Sequence, residues 1–280
     1  MEKYKFANER DEKEFKKIPQ GEQEIAREIF EIEQKLNAIK EKEISDVTKL
    51  VDLKERNSSG KELSKTDLSF LYKIYDSKPG GYNFGSTYGF GEQQNSMFEE
   101  IISKRDIKSD LSLITGYTRE QIGTTIDEVL SGGIKYFYGD LIFEGYKQPI
   151  KGLKLPEVIS GSLNFYSTRS IDELKGVKFP NEIGCDLVLS NMESIDGLKL
   201  PSKVGKNLYL ASIKSANGVE FPNMVGGWID LVGLKSIEGL KLPEHVEGGV
   251  DFRLGPSNME ILKKQYPNLI LTSADWVKDQ

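Results

Sequence analysis

Apolar residues recur along the second half of this chain with two superposed periods. The short period is two residues. Leu163-Asn164-Phe165, Leu187-Val188-Leu189, Leu208-Tyr209-Leu210, Ile229-Asp230-Leu231 and Val250-Asp251-Phe252 each place apolar residues on both sides of a middle residue. Such alternation predicts a short strand with one buried face. The long period is 21 residues, counted from Pro180 to Pro201, Pro222 and Pro243. Pro156 lies 24 residues before Pro180 because Glu173-Leu174-Lys175 is inserted in that unit. "SIDGLKLP" at Ser194–Pro201 returns as "SANGVEFP" at Ser215–Pro222 and "SIEGLKLP" at Ser236–Pro243. An earlier triplet, Leu141-Ile142-Phe143, starts the series slightly out of register.

A unit this short cannot enclose a core alone, but stacked units bury a continuous one. The expected fold class is therefore α+β: a helical N-terminal domain (21–133), then a right-handed parallel β-solenoid of about 21-residue coils over 134–254. Leu163, Leu187, Leu208 and Ile229 should form one inward column, with Asn164, Val188, Tyr209, Asp230 and Asp251 outward. Gly197, Gly218 and Gly239 should turn the corners. Ser170, Ser194, Ser215 and Ser236 either bond backbone groups of adjacent coils or serve as small turn residues. A second strand is expected to carry Lys154, Lys178, Lys199, Glu220 and Lys241. The stretch 255–280 should cap the stack, with a helix over Ser257–Pro267 whose Met259, Leu262 and Tyr266 share a face, followed by a strand in "NLILT".

Upstream the period changes. Ile25, Ile29, Ile32, Leu36 and Ile39 are spaced 4, 3, 4 and 3. This spacing predicts an amphipathic helix with a narrow stripe, suited to a helical hairpin or to dimerisation through Ile25, Ile29, Ile32 and Leu36. Ser45 is a candidate cap for a second helix through Val47, Leu50, Val51 and Leu53, and Ser64 for a third through Leu68, Phe70, Leu71 and Ile74. Further short helices are expected over Ser96–Lys104 and Thr118–Leu130. Residues 1–20 are charged and unpatterned, the composition of a disordered tail. The stretch 77–94, "SKPGGYNFGSTYGFGEQQ", reads as a mobile Gly/aromatic loop. It lacks the G-K-[ST] that a phosphate-cradling loop carries.

The Leu-x-Leu triplets and the "GLKLP" phrase resemble those of leucine-rich-repeat-like proteins across Tyr136–Leu254. That resemblance implies parallel stacking but no chemistry. The Asn or Cys rung that usually follows the strand is missing, so a flatter β-helix like the receptor L-domain is the other form that the pattern fits. Leu63–Ser77, Ser103–Ile122 and Ile134–Leu141 are similar to the lead-in of uncharacterised repeat proteins from uncultured bacteria.

Composition narrows function. Net charge is −6 with both signs interspersed, unlike a general nucleic-acid binder. No apolar run reaches membrane-spanning length, and the first residues do not form a signal peptide. One cysteine, Cys185, points to a reducing compartment, which makes the cytoplasm the expected location and leaves export without a signal peptide open. The single histidine, His245, at an expected corner, lies several coils from Cys185. No catalytic pair, cofactor motif or metal set emerges. The reading is a non-catalytic module that presents an exposed strand face to a protein partner. Its contact residues would be Tyr209, Trp228, Asp230, Asp251, Asn207, Arg253 and Tyr166. The alternatives are an enzyme in the helical domain, with the solenoid selecting substrate, or a secreted bacterial effector or adhesin. The lysine row is either a stripe for an anionic polymer or a solubilising edge.

Overall fold

The computed structural model describes residues 23–72, 74–76, 82–84, 92–146 and 149–273. The 1–20 tail and most of the 77–94 loop lie outside them. The fold is α+β. Its first half holds α1 (Gln23–Ser58), α2 (Lys65–Leu71), the antiparallel pair β1 (Ile74–Asp76) and β2 (Tyr82–Phe84), α3 (Glu92–Ile102) and α4 (Ile107–Thr115). A 3-10 turn at Arg119–Gln121 leads to β3 (Ile122–Gly123), and α5 (Ile126–Ser131) follows.

Two parallel seven-stranded sheets make up the rest. Sheet I contains β3, β4 (Tyr136–Phe137), β6 (Val158–Ile159), β8 (Glu182–Ile183), β10 (Lys203–Val204), β12 (Met224–Val225) and β14 (His245–Val246), in that order. Sheet II contains β5 (Leu141–Ile142), β7 (Leu163–Asn164), β9 (Leu187–Val188), β11 (Leu208–Tyr209), β13 (Trp228–Leu231), β15 (Gly249–Phe252) and β16 (Leu271–Ser273). From β4 onward each repeat adds one strand to sheet I and the next to sheet II. Leu163, Leu187, Leu208, Ile229 and Val250 pair in register and are fully buried. Leu141 pairs with Leu163, so the first triplet is in register after all. Ile159, Ile183, Val204 and Val225 face them from sheet I in one apolar core.

The second strand is not where the apolar phrasing put it. Sheet I forms after each proline, not at the lysine row, where one isolated bridge joins Lys154 to Lys178. The reason is local. The Gly-Leu-Lys-Leu-Pro segment spends its backbone on a tight turn, as in Leu198 N–H to Ile195 O at 3.0 Å, and on a proline that has no N–H to give. His245 consequently sits on β14 and not at a corner.

Two kinds of glycine make the bends. Gly197, Gly218 and Gly239 take φ of 75°, 79° and 69°, the left-handed region that the turn requires. Gly205 and Gly226 have ordinary φ but no room, because a Cβ would lie 2.1 Å and 2.3 Å from the carbonyl oxygens of Gly184 and Gly205. The serines act within their own repeat. Ser194, Ser215 and Ser236 each accept the N–H two residues on, at 3.1, 3.2 and 3.1 Å. The adjacent repeat is not their partner.

The helical part docks on the outer face of sheet I. Ile122, Tyr136 and Val158 belong to a second core with Leu50, Leu53, Leu68, Phe98 and Leu111. α1 continues through Ser45 without a break, since nothing there stops it. Ser64 caps α2 in a reciprocal box with Asp67, but Ile74 belongs to β1. The expected Thr118–Leu130 helix is split by β3, whose Ile122 pairs with Tyr136. At the far end α6 (Pro256–Gln265) buries Met259 and Leu262 over the last repeat.

Candidate functional site

The outward face of sheet II is built by strict alternation. Ile142, Asn164, Val188, Tyr209, Asp230, Asp251 and Thr272 pair successively and form one column across the strands. The column preceding each strand runs Asp140, Ser162, Asp186, Asn207 and Trp228, and its side chains tie the repeats together. Asp140 Oδ1 accepts the Ser162 N–H at 2.6 Å, Asp186 Oδ1 accepts the Asn207 N–H at 2.8 Å, and Asn207 Oδ1 accepts the Trp228 N–H at 2.9 Å. These bonds extend the ladder beyond the strands and hold the face rigid.

At Trp228 the ladder changes character. An indole cannot accept in this way, and the next residue in the column is Gly249, at φ 142°. A Cβ on Gly248 would lie 2.7 Å from Trp228 Cδ1, and one on Gly249 would lie 2.8 Å from Cζ3. The indole therefore lies along the two glycines, 38% exposed, with Ile270 beyond them at 57%. Asp230 and Asp251 stand side by side in register next to it. Partial burial, then the Asp230 carboxylate, raises the Asp251 pKa. Thr272 Oγ1 donates to Asp251 Oδ1. Burial, with the charges of Asp186 and Asp230, likewise raises the Tyr209 hydroxyl.

Five of the seven residues expected on this face thus cluster: Asn207, Tyr209, Trp228, Asp230 and Asp251. Tyr166 is exposed, but its backbone oxygen takes a bond from Asn191 two strands away from Tyr209. Arg253 is exposed just past β15. Ile270 and Thr272 escaped the sequence reading. Their signal was the "NLILT" strand, whose register could not be counted across the helix before it.

The middle of the lysine row, Lys178, Lys199 and Glu220, lines with Phe179 a groove of about 1010 Å³ on a third side. In the helical part the buried Asp110 accepts from Tyr72 Oη at 2.8 Å and from Arg105 Nη2 at 2.7 Å, and Arg105 also donates to Asn57 Oδ1 at 2.9 Å. Burial, first, and the bond to Asp110 push the Tyr72 hydroxyl far above its ordinary value. Each charged member is matched, as a structural network requires. Among the described residues no group of three side chains is placed to hold a metal ion, and no helix is long and apolar enough to cross a membrane. No protein family, curated protein or solved structure matches the chain.

Proposed function

We propose that this chain is a non-catalytic protein-interaction module: a leucine-rich-repeat-like β-solenoid, capped by helices, that presents the sheet II face to a protein partner. One observation carries the reading. An exposed indole, a half-buried phenol and two paired carboxylates are held at fixed spacing on a rigid sheet. Aromatic side chains of this kind anchor interfaces, and pre-ordered ones bind at little entropic cost. The spatial order of the two sheets supports stacked coils, although handedness and the choice between leucine-rich repeat and L-domain-like helix belong to the proposal. The saturated Tyr72–Asp110–Arg105 network favours a structural part for the helices over an active site.

Affinity capture from the native host, with parent and variants side by side, tests this. A protein retained by the parent and by Lys199→Glu/Lys241→Glu, but lost from Tyr209→Ala/Trp228→Ala, supports the face. Loss through the lysine changes alone moves the site to the third side. A recurrent metabolite or covalent adduct in place of a protein favours the enzyme.

A further inference from the structure

The repeats are not all of one length, and the surplus residues build a pocket. Paired residues of sheet II are 22 apart from Leu141 to Leu163 and 24 apart from Leu163 to Leu187, but 21 apart in each later step to Val250. From sheet I to sheet II the long repeats take the same five residues as the others, as in Tyr136 to Leu141, Val158 to Leu163 and Glu182 to Leu187. The surplus therefore lies in the return from sheet II, where the longer of the two repeats folds a 3-10 turn at Ile171–Leu174. The two enlarged returns enclose a pocket of about 310 Å³. Small-molecule sites occupy about 300–1,000 Å³, so this one has room for a small ligand only.

Its walls are apolar and its rim is charged. Phe143, Tyr146 and Ile150 line it, with the Phe143 and Tyr146 rings inclined at 82° and their centroids 6.0 Å apart. An aromatic ring set into that corner stacks on one and meets the other edge-on. Thr168 lines the same pocket at 5% exposure, and among the described residues its hydroxyl has no hydrogen-bond partner. A polar group buried to that degree is ordinarily bonded, and a ligand in the pocket would satisfy it. Lys151 and Asp172 also line the pocket and are exposed, yet they pair neither with each other nor with another described side chain. Glu173, beside them, is already engaged: its Oε1 accepts the Arg169 and Ser170 N–H groups at 3.2 and 3.1 Å.

We propose that this pocket binds a free aromatic amino acid. The ring packs against Phe143 and Tyr146, the α-carboxylate meets Lys151, the α-ammonium meets Asp172, and the Thr168 hydroxyl bonds the polar end. Charge selects the class. A ligand of one sign, or the end of a peptide, answers only one of the two rim charges, whereas a zwitterion answers both. The site is independent of the sheet II face, since its residues follow β5 and β7 and Tyr209 stands two strands further on.

Equilibrium dialysis of the full chain against L-phenylalanine, L-tyrosine and L-tryptophan should show saturable binding of one molecule per chain. Lys151→Met and Asp172→Asn should each weaken it by about tenfold or more, the effect of losing a hydrogen bond to a charged group. Thermal melting of both should match the parent, because each side chain is exposed and unpaired. Thr168→Val, which keeps the shape and removes the hydroxyl, should weaken binding as well. Phenylalaninamide and N-acetylphenylalanine, each with one charge removed, should bind at least about tenfold less tightly than phenylalanine. Tyr209→Ala/Trp228→Ala should bind the amino acid as the parent does. No saturable binding of any of the three, full affinity in Lys151→Met and Asp172→Asn, or a single-charge analogue that binds as well as phenylalanine would each overturn the proposal. The last result would assign the pocket to a peptide end.

Discussion

Single side chains complete hydrogen bonding where the repeat ends. The Tyr266 hydroxyl donates to Leu240 O at 3.2 Å and accepts the Leu242 N–H at 3.1 Å, so the capping helix ties itself to the last turn. Tyr266→Phe leaves both groups without this partner and should cost about 1–3 kcal/mol in urea unfolding; an unchanged midpoint would show that water replaces the phenol. Leu208, fully buried between Leu187 and Ile229, is far less forgiving. Leu208→Asp buries an unpaired charge and should abolish the cooperative transition, and a variant that melts like the parent would refute the register. Glu128 gives a pH-dependent case. It pairs with Lys108 and accepts the Thr124 N–H at 2.8 Å, and these bonds hold its carboxyl down to about 2 from an ordinary 4.5. With the folded pKa depressed, its contribution is complete above pH 4.5 and lost as pH falls towards 2. Over that window the parent should lose more thermal stability than Glu128→Gln. Equal losses would assign the acid sensitivity elsewhere.

Within an element, the two glycine types should respond differently to one added methyl. At Gly197 an alanine meets open space and pays only for its left-handed backbone, about 1–2 kcal/mol. At Gly205 the same methyl meets the Gly184 carbonyl oxygen at 2.1 Å, and neighbouring strands fix that backbone. Gly205→Ala should therefore destabilise more than Gly197→Ala by chemical denaturation. The reverse order would mean that the corner can open. The elements also show how far local sequence reaches. Ser64 caps a helix because Asp67 answers it across one turn, a signal contained within four residues. Ser45 resembles the same signal, yet the helix runs through it: a cap needs the preceding backbone to be extended, and nothing before Ser45 imposes that. The strands of sheet I are two residues long, below the length at which alternation can be recognised.

Across the whole molecule, the sheet II face and the lysine side look in different directions, so they can be tested separately. Removing Tyr209 and Trp228 together should weaken partner binding by more than about 2 kcal/mol while the fold stays cooperative, because aromatics near an interface centre dominate its energy. Asp251→Asn should chiefly slow association at low salt, an effect that fades as ionic strength rises. An equilibrium loss from Asp251→Asn as large as that from the aromatic pair would mean that the carboxylate is buried in the interface and does not merely steer encounter. Asn207, Tyr209, Trp228, Asp230 and Asp251 came together on one face as alternation required, because a period of two and a rung of 21 residues suffice to stack side chains in register.

By itself the sequence determined the repeat, the inward column from Leu163 to Val250, the left-handed turns at Gly197, Gly218 and Gly239, and the capping helix over the last repeat. Each of these depends on contacts close along the chain or on its own periodicity. Tertiary structure alone decided where the second sheet lies, that Ile122 joins it from the helical half, that Trp228 lies along Gly248 and Gly249, and that Ile270 extends its patch. Those features depend on which residue of a neighbouring repeat leaves room or supplies a partner. Sequence spacing carries no information about that until the repeats are stacked.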